Sequence, residues 1–248
     1  VQNKLLIFQL ILLDVSTMAI VPTGSSCIDQ KIGGGIQPGA IMLVYGEPET
    51  GKSTFALQCA VNCAVQGQKI LYVDCDNTFS TERLAQIANY RFDEVAERVV
   101  LVKPRDFKEQ TVLIDKIEDY TVNVGLMVFD TFTSLYSARA AELPRSFSVN
   151  RELNKQLAIL AQLCKTKKIP LLILSQVRSV IGEEAESLSV RPVANRVLKF
   201  WAETILCLKP TDYPQVIQVS IEKAPTQATQ ATCYVHIGVG GLTDTQLY

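Results

Sequence analysis

Hydrophobic residues in this chain gather into short unbroken runs, separated by longer segments where they recur every three or four positions. AIMLVYG (40–46), ILYVD (70–74), VVLVK (99–103), LMVFD (126–130) and LLILS (171–175) are apolar runs of strand length. Such runs, lacking polar alternation, predict strands buried on both faces. The segment 52–66, KSTFALQCAVNCAVQ, is Ala-rich, free of Gly and Pro, and followed by Gly67. It predicts a helix buried on most sides. Residues 81–90 suit a helix with Ser80 or Thr81 as its N-cap. Asp106 and Glu109 give a capping-box-like start to a helix over 106–120. Leu153, Leu157, Leu160 and Cys164 share one stripe of a helix over 150–166, and Pro170 opens the next strand. The alternation predicts an α/β fold, a mainly parallel twisted sheet with helices on both faces.

The last third reads differently. TILCLK (204–209), VIQVSIEK (216–223) and TCYVHI (232–237) are short strands broken by Pro, Asp and other polar residues. They predict antiparallel strands extending one edge of the sheet. Gly33, Gly34 and Gly35, then Pro38-Gly39, mark a turn region before the first strand. The run LLIFQLILL (5–13) is too short to span a membrane. Residues 1–17 are set apart as an apolar extension, with Met18 as an alternative start, and 18–248 as one domain.

Composition narrows the function classes. Twenty-four Lys and Arg against 25 Asp and Glu leave a net charge of −1, which excludes coating a polyanion by global charge. Any such contact needs a local patch. Seven cysteines without a CxxC pair, and a single histidine, His236, offer no zinc-site spacing. They predict a reducing, cytoplasmic setting in which all the thiols are small buried apolar groups. Cys59 and Cys63 share a helix face without further ligands, and His236, Phe200 and Trp201 read as packing residues.

The chemistry concentrates between the first strand and the first long helix. Gly46-Glu47-Pro48-Glu49-Thr50-Gly51-Lys52-Ser53 matches G-x-x-x-x-G-K-[ST] in the strand-to-helix context that motif requires. The glycines let successive N–H groups converge on phosphate oxygens, and the helix start, reaching Thr54, adds its positive dipole end. Lys52 supplies a charge at the β- and γ-phosphates, and the Ser53 hydroxyl a magnesium ligand. ATP is favoured over GTP because no N-K-x-D guanine-reading motif occurs. Asp130, ending the run LMVFD, is the second expected Mg2+ ligand, in the manner of a Walker B carboxylate. Asp74 and Asp76, past the end of another strand, are candidates to orient or deprotonate an attacking water. Gln176, at the end of LLILS, is placed to sense the γ-phosphate.

Together these residues resemble the core of the RecA-type recombinases, in their archaeal and eukaryotic branch. YVDCDNTFSTERL (72–84) is similar to that branch's acid and T-F-x-x-E-R-L segment, and VPTGSSCIDQKIGGGIQPGAIMLVYG (21–46) to its approach to the phosphate loop. The likeness runs over about residues 20–245, ending with YVHIGVGGLTD (234–244). With no helical DNA-binding domain ahead of the core, and with VKPRDFKEQ (102–110) and RPVANRVLKFWAETILCL (191–208), the chain resembles the short archaeal RadB branch. That resemblance implies ATP and DNA binding without efficient strand exchange and weak ATPase activity. It also implies contact with the main recombinase RadA and a Holliday-junction resolvase, and a role in recombination and repair.

By position, Gly46 to Thr54 would cradle the phosphates, with Lys52, Asp76 and Gln176 as catalytic positions, and Gln176 opening the second DNA-binding loop. Asp76 departs from the family's usual glutamate, and its side chain is shorter by about 1 Å, a misplacement that costs roughly a hundredfold in rate. Slow hydrolysis is the expectation. Family members dock subunits through F-x-x-A, where this chain offers Phe8-Gln9-Leu10-Ile11, a poor match for a homo-oligomer built that way. For single-stranded or branched DNA, the expected contacts lie in two loops. Residues 136–149 carry Arg139 and Arg145 with Tyr136 and Phe147; residues 177–192 carry Arg178 and Arg191, opposed by Glu183, Glu184 and Glu186. Two other readings stay open, an active DNA-stimulated ATPase or recombinase and a KaiC-like regulatory ATPase.

Overall fold

The computed structural model describes residues 19–143, 147–180, 189–226 and 231–246. A nine-stranded sheet divides two layers of helices. Its strands are β1 (Ile41–Gly46), β2 (Lys69–Asp74), β3 (Val99–Val102), β4 (Val124–Asp130), β5 (Leu171–Ser175), β8 (Thr204–Pro210), β9 (Val216–Lys223), β10 (Ala231–Gly238) and β11 (Gly241–Thr245). A separate two-stranded ribbon pairs β6 (Val177–Val180) with β7 (Ser189–Pro192). The sheet order is β11-β10-β9-β8-β1-β5-β4-β2-β3. Pairings from β8 to β3 are parallel, and those from β8 to β11 antiparallel. The predicted α/β sheet with an antiparallel edge extension is present, with β11 as an additional strand.

The unbroken apolar runs follow from burial on both sides. Met42 and Val44 of β1 join one apolar cluster, while Ile41, Leu43 and Tyr45 join the other. The first cluster takes the inner faces of α1 (Ser26–Ile32), α2 (Lys52–Val65), α3 (Thr81–Ala88) and α4 (Phe92–Ala96). The second takes α5 (Phe107–Asp115), α6 (Ser134–Ala141), α7 (Phe147–Lys167) and α8 (Asn195–Trp201). Ser80 is the cap of α3, its side chain accepting from the Arg83 N–H. Asp106 likewise caps α5 through the Glu109 N–H, and Glu109 reaches back to the Arg105 N–H.

Several expectations are corrected. The helix expected over 106–120 ends at Asp115, and Ile117–Tyr120 tightens to a 3-10 turn. VVLV lies at the sheet edge, so Val100 and Leu101 are 37% and 38% exposed, not buried on both faces. The segment 136–149 is not one loop, because Ser134–Ala141 and the start of α7 are helical. Phe200 is 75% exposed and not a packing residue, whereas Trp201 is half-buried and donates from Nε1 to Asn154 Oδ1. The expectation of seven free thiols fails for one pair. Cys27 and Cys233, 206 residues apart, form a disulfide that ties α1 to β10. The other five cysteines are free and buried. Among the described residues, no helix is long and apolar enough to cross a membrane. Residues 1–17, Met18, Phe8-Gln9-Leu10-Ile11, Arg145 and the acidic Glu183, Glu184 and Glu186 lie outside the described residues.

Candidate nucleotide-binding site

The site forms where β1, β5, β4 and β2 end at the same level. Tyr45 pairs with Ser175, and Asp74 with Asp130, so the parallel register aligns the residues that follow each strand. This is the carboxyl edge at which open α/β sheets bind ligands.

The G-x-x-x-x-G-K-S loop, residues 46–53, connects β1 to α2. Both of its motif glycines are demanded by space. A Cβ on Gly46 would lie 2.3 Å from the Leu208 carbonyl oxygen. Gly51 has φ of 81°, and a Cβ there would lie 2.5 Å from Ile237 Cδ1 of β10. The loop is braced from within, with Thr50 Oγ1 donating to the Glu47 carbonyl at 2.8 Å. Lys52 Nζ donates to the carbonyls of Gly46 and Glu47 at 2.9 and 2.6 Å, so the ammonium is held over the loop. Burial lowers the Lys52 pKa, while Asp130, Asp76 and Glu47 act in the opposite direction. A cation partly stripped of water and surrounded by acids is poised to exchange those contacts for phosphate oxygens.

Asp130 is buried at the end of β4, and its Oδ2 accepts from Tyr72 Oη at 2.7 Å. Its Oδ1 is buried without a partner in hydrogen-bonding geometry. Burial raises the Asp130 pKa; Tyr72 and Ser53 lower it, and Asp76 and Asp74 raise it. Ser53 is thus close enough to favour the ionised carboxylate. A buried carboxyl oxygen without a hydrogen-bond partner, near a hydroxyl, is a donor set that fits a hard dication such as Mg2+.

The two acids after β2 separate in role. Asp74 accepts the N–H groups of Thr78 and Phe79, each at 3.0 Å, and pairs with Lys103 at 3.3 Å. That carboxylate braces the 75–79 turn, so Asp74 is corrected from candidate acid to structural residue. Asp76 is half-buried, and its Oδ2 accepts from Thr131 Oγ1 at 2.8 Å. Sequence reading missed Thr131, since nothing local to residue 131 signals a bond to residue 76. Gln176 is exposed at the end of β5, where the β6–β7 ribbon begins. The Val193 N–H donates to the Gln176 carbonyl at 2.9 Å, which ties the base of the ribbon to β5.

The arginines are distributed unevenly. In the ribbon register Arg178 stands opposite Arg191. Arg191, Asn195 and Arg196 line a cleft of about 850 Å³ between the ribbon, α6, α7 and α8. Arg139 instead pairs with Glu142 at 2.7 Å on α6. Tyr136 is buried, bonded to Asn150 and stacked edge-on to Phe107, so it packs and is not free to stack on a base. Phe147 is 78% exposed at the start of α7.

A family model described as Rad51 matches residues 15–245 of this chain. The chain belongs to the Rad51 family. Within the Rad51 family it is similar to proteins named DNA repair and recombination protein RadB. The one from Thermococcus kodakarensis is 32% identical over 232 residues, covering 92% of this chain and all of the relative. The one from Methanobrevibacter smithii is 32% identical over 196 residues, covering 77% of this chain and 82% of the relative. The crystal structure of the RadB recombinase superposes with a TM-score of 0.77 at 29% identity, covering 92% of this chain and all of that one.

Proposed function

We propose that this chain is an ATP-binding accessory protein of homologous recombination and DNA repair, which binds DNA and hydrolyses ATP slowly. The observation that carries the nucleotide reading is the buried, unpartnered Asp130 Oδ1 beside Ser53, at the mouth of a glycine loop that already holds its lysine. Gly46 to Thr54 would take the phosphates, and Lys52 would transfer its contacts from loop carbonyls to phosphate oxygens. Ser53 and Asp130 would hold Mg2+, which when bound supplies charge neutralisation at the phosphates. Asp76 is assigned as the proton acceptor for the attacking water, and its short side chain is the reason for slow turnover.

DNA contact is assigned to the ribbon whose strands carry Arg178 and Arg191 and to the cleft lined by Arg191 and Arg196, with Gln176 at the base of the ribbon beside the nucleotide site. The names of the RadB relatives support the recombination role, and docking on the main recombinase and a Holliday-junction resolvase rests on the family resemblance alone. The test is titration of labelled single-stranded DNA with and without Mg-ATP, for wild type and Lys52→Ala. DNA affinity is expected to fall with salt and to respond to ATP in wild type only. Affinity indifferent to salt would remove phosphate contact from the reading. A response to ATP that survives Lys52→Ala would detach the DNA role from this site.

A further inference from the structure

We infer that Thr131 is a positioning residue for Asp76, an inference that rests on the reading of Asp76 as the proton acceptor in ATP hydrolysis. Thr131 directly follows Asp130 and is 4% exposed, and its Oγ1 donates to Asp76 Oδ2 at 2.8 Å. The frame around it is fixed from several sides. The Cys75 N–H donates to the Asp130 carbonyl at 2.7 Å, and the Phe132 N–H to the Leu174 carbonyl at 3.0 Å. Ser134 Oγ donates to the Thr131 carbonyl at 3.0 Å and reaches the Cys75 carbonyl at 3.4 Å. The hydroxyl therefore comes from a clamped backbone and from a β-branched side chain with restricted χ1.

Asp76 has no such rigidity of its own. It stands past the end of β2, half-buried in the 75–79 turn, with two side-chain torsions to fix. The Thr131 bond occupies Oδ2 and restricts rotation of the carboxylate, so that Oδ1 would be the oxygen that takes the proton. In the step served, the water oxygen bonds to the γ-phosphorus and its proton passes to Asp76 Oδ1. The bond from that phosphorus to the bridging oxygen breaks, and its electron pair leaves on ADP. A shorter acid has less tolerance for a wrong rotation, so an external donor matters more here than it would for glutamate.

Single-turnover ATP hydrolysis with Mg2+ tests the assignment, alongside nucleotide affinity and thermal unfolding of each variant. Thr131→Val keeps the shape and removes the donor, and is expected to lower the hydrolysis rate roughly tenfold to a hundredfold with nucleotide affinity unchanged. Thr131→Ser keeps the donor and is expected to stay within about threefold of wild type. Thr131→Val turning over like wild type overturns the proposal, as does Thr131→Ser being as slow as Thr131→Val. Should Thr131→Val unfold, Thr131→Ala is compared with Thr131→Ser on the same criteria. Asp76→Asn separates the two levels. If it hydrolyses ATP at the wild-type rate, the reading of Asp76 fails and the proposal with it. If it is inactive while Thr131→Val is normal, the positioning role alone fails.

Discussion

Reducing the Cys27–Cys233 disulfide should cost this protein a large part of its stability, and the size follows from topology. The bond joins residues 206 apart, so it closes most of the chain into one loop. In the chain-entropy account that closure removes about 18 cal/mol/K from the unfolded ensemble, or about 5 kcal/mol at 25 °C. The native contacts around it do not depend on the bond. Ser25 Oγ and the Cys27 N–H both donate to the Asp244 carboxylate, and they hold α1 against β11 in either redox state. The effect should therefore act mainly through the unfolded chain. An unfolding entropy of about 2.1 cal/mol/K per residue gives a 248-residue chain about 0.5 kcal/mol/K, so 5 kcal/mol corresponds to a Tm lower by about 10 °C. The more usual return of about 2–4 kcal/mol would correspond to about 4–8 °C. Calorimetry with and without a dithiol measures the shift, and Cys27→Ser should unfold at the reduced temperature whatever the additive. Alkylation of the denatured, unreduced protein should label the five free cysteines, and all seven after reduction. Labelling of all seven without reductant, or an unchanged Tm, would refute the reasoning.

Three further outcomes are expected. Burial raises the Asp130 pKa, so folding favours its protonated form; that contribution is full below the ordinary aspartate range and is lost as pH rises through the raised value. Asp130→Asn should then raise the unfolding temperature of the nucleotide-free protein at pH 7 while abolishing protection by Mg-ATP, both readable in thermal unfolding. Gly51→Ala should cost about 2–5 kcal/mol in denaturant unfolding, from a left-handed alanine plus the Ile237 clash. Adding Ile237→Val, which removes the clashing Cδ1, should recover only the packing part. Asp76→Glu should accelerate single-turnover hydrolysis by up to about a hundredfold, and no acceleration would show that reach is not what slows this site.

The legible parts of this chain were those whose signal is local. A strand buried on both faces must be apolar along its length, and β1, β2, β4 and β5 read that way. A phosphate loop needs its glycines, lysine and hydroxyl at fixed spacing, because one short segment must wrap one group. The edge strand β3 misled, since VVLV has the composition of a buried strand and only the sheet order exposes it. The segment 136–149 misled too, because its polar residues resemble a loop while Tyr136 anchors a helix to Phe107 and Asn150.

The amino-acid sequence by itself determined that a G-x-x-x-x-G-K-S loop stands between an apolar strand and a buried helix, with acids ending the neighbouring strands. Those features are properties of contiguous residues, set by backbone geometry and side-chain type. Only the tertiary structure decided what each acid is bonded to. Asp74 is consumed by the Thr78 and Phe79 N–H groups, Asp76 is held by a hydroxyl 55 residues away, and Asp130 keeps one buried oxygen unpaired. Hydrogen bonds and burial depend on which atoms meet across the sheet, and the Cys27–Cys233 pairing likewise exists only because β10 returns to α1.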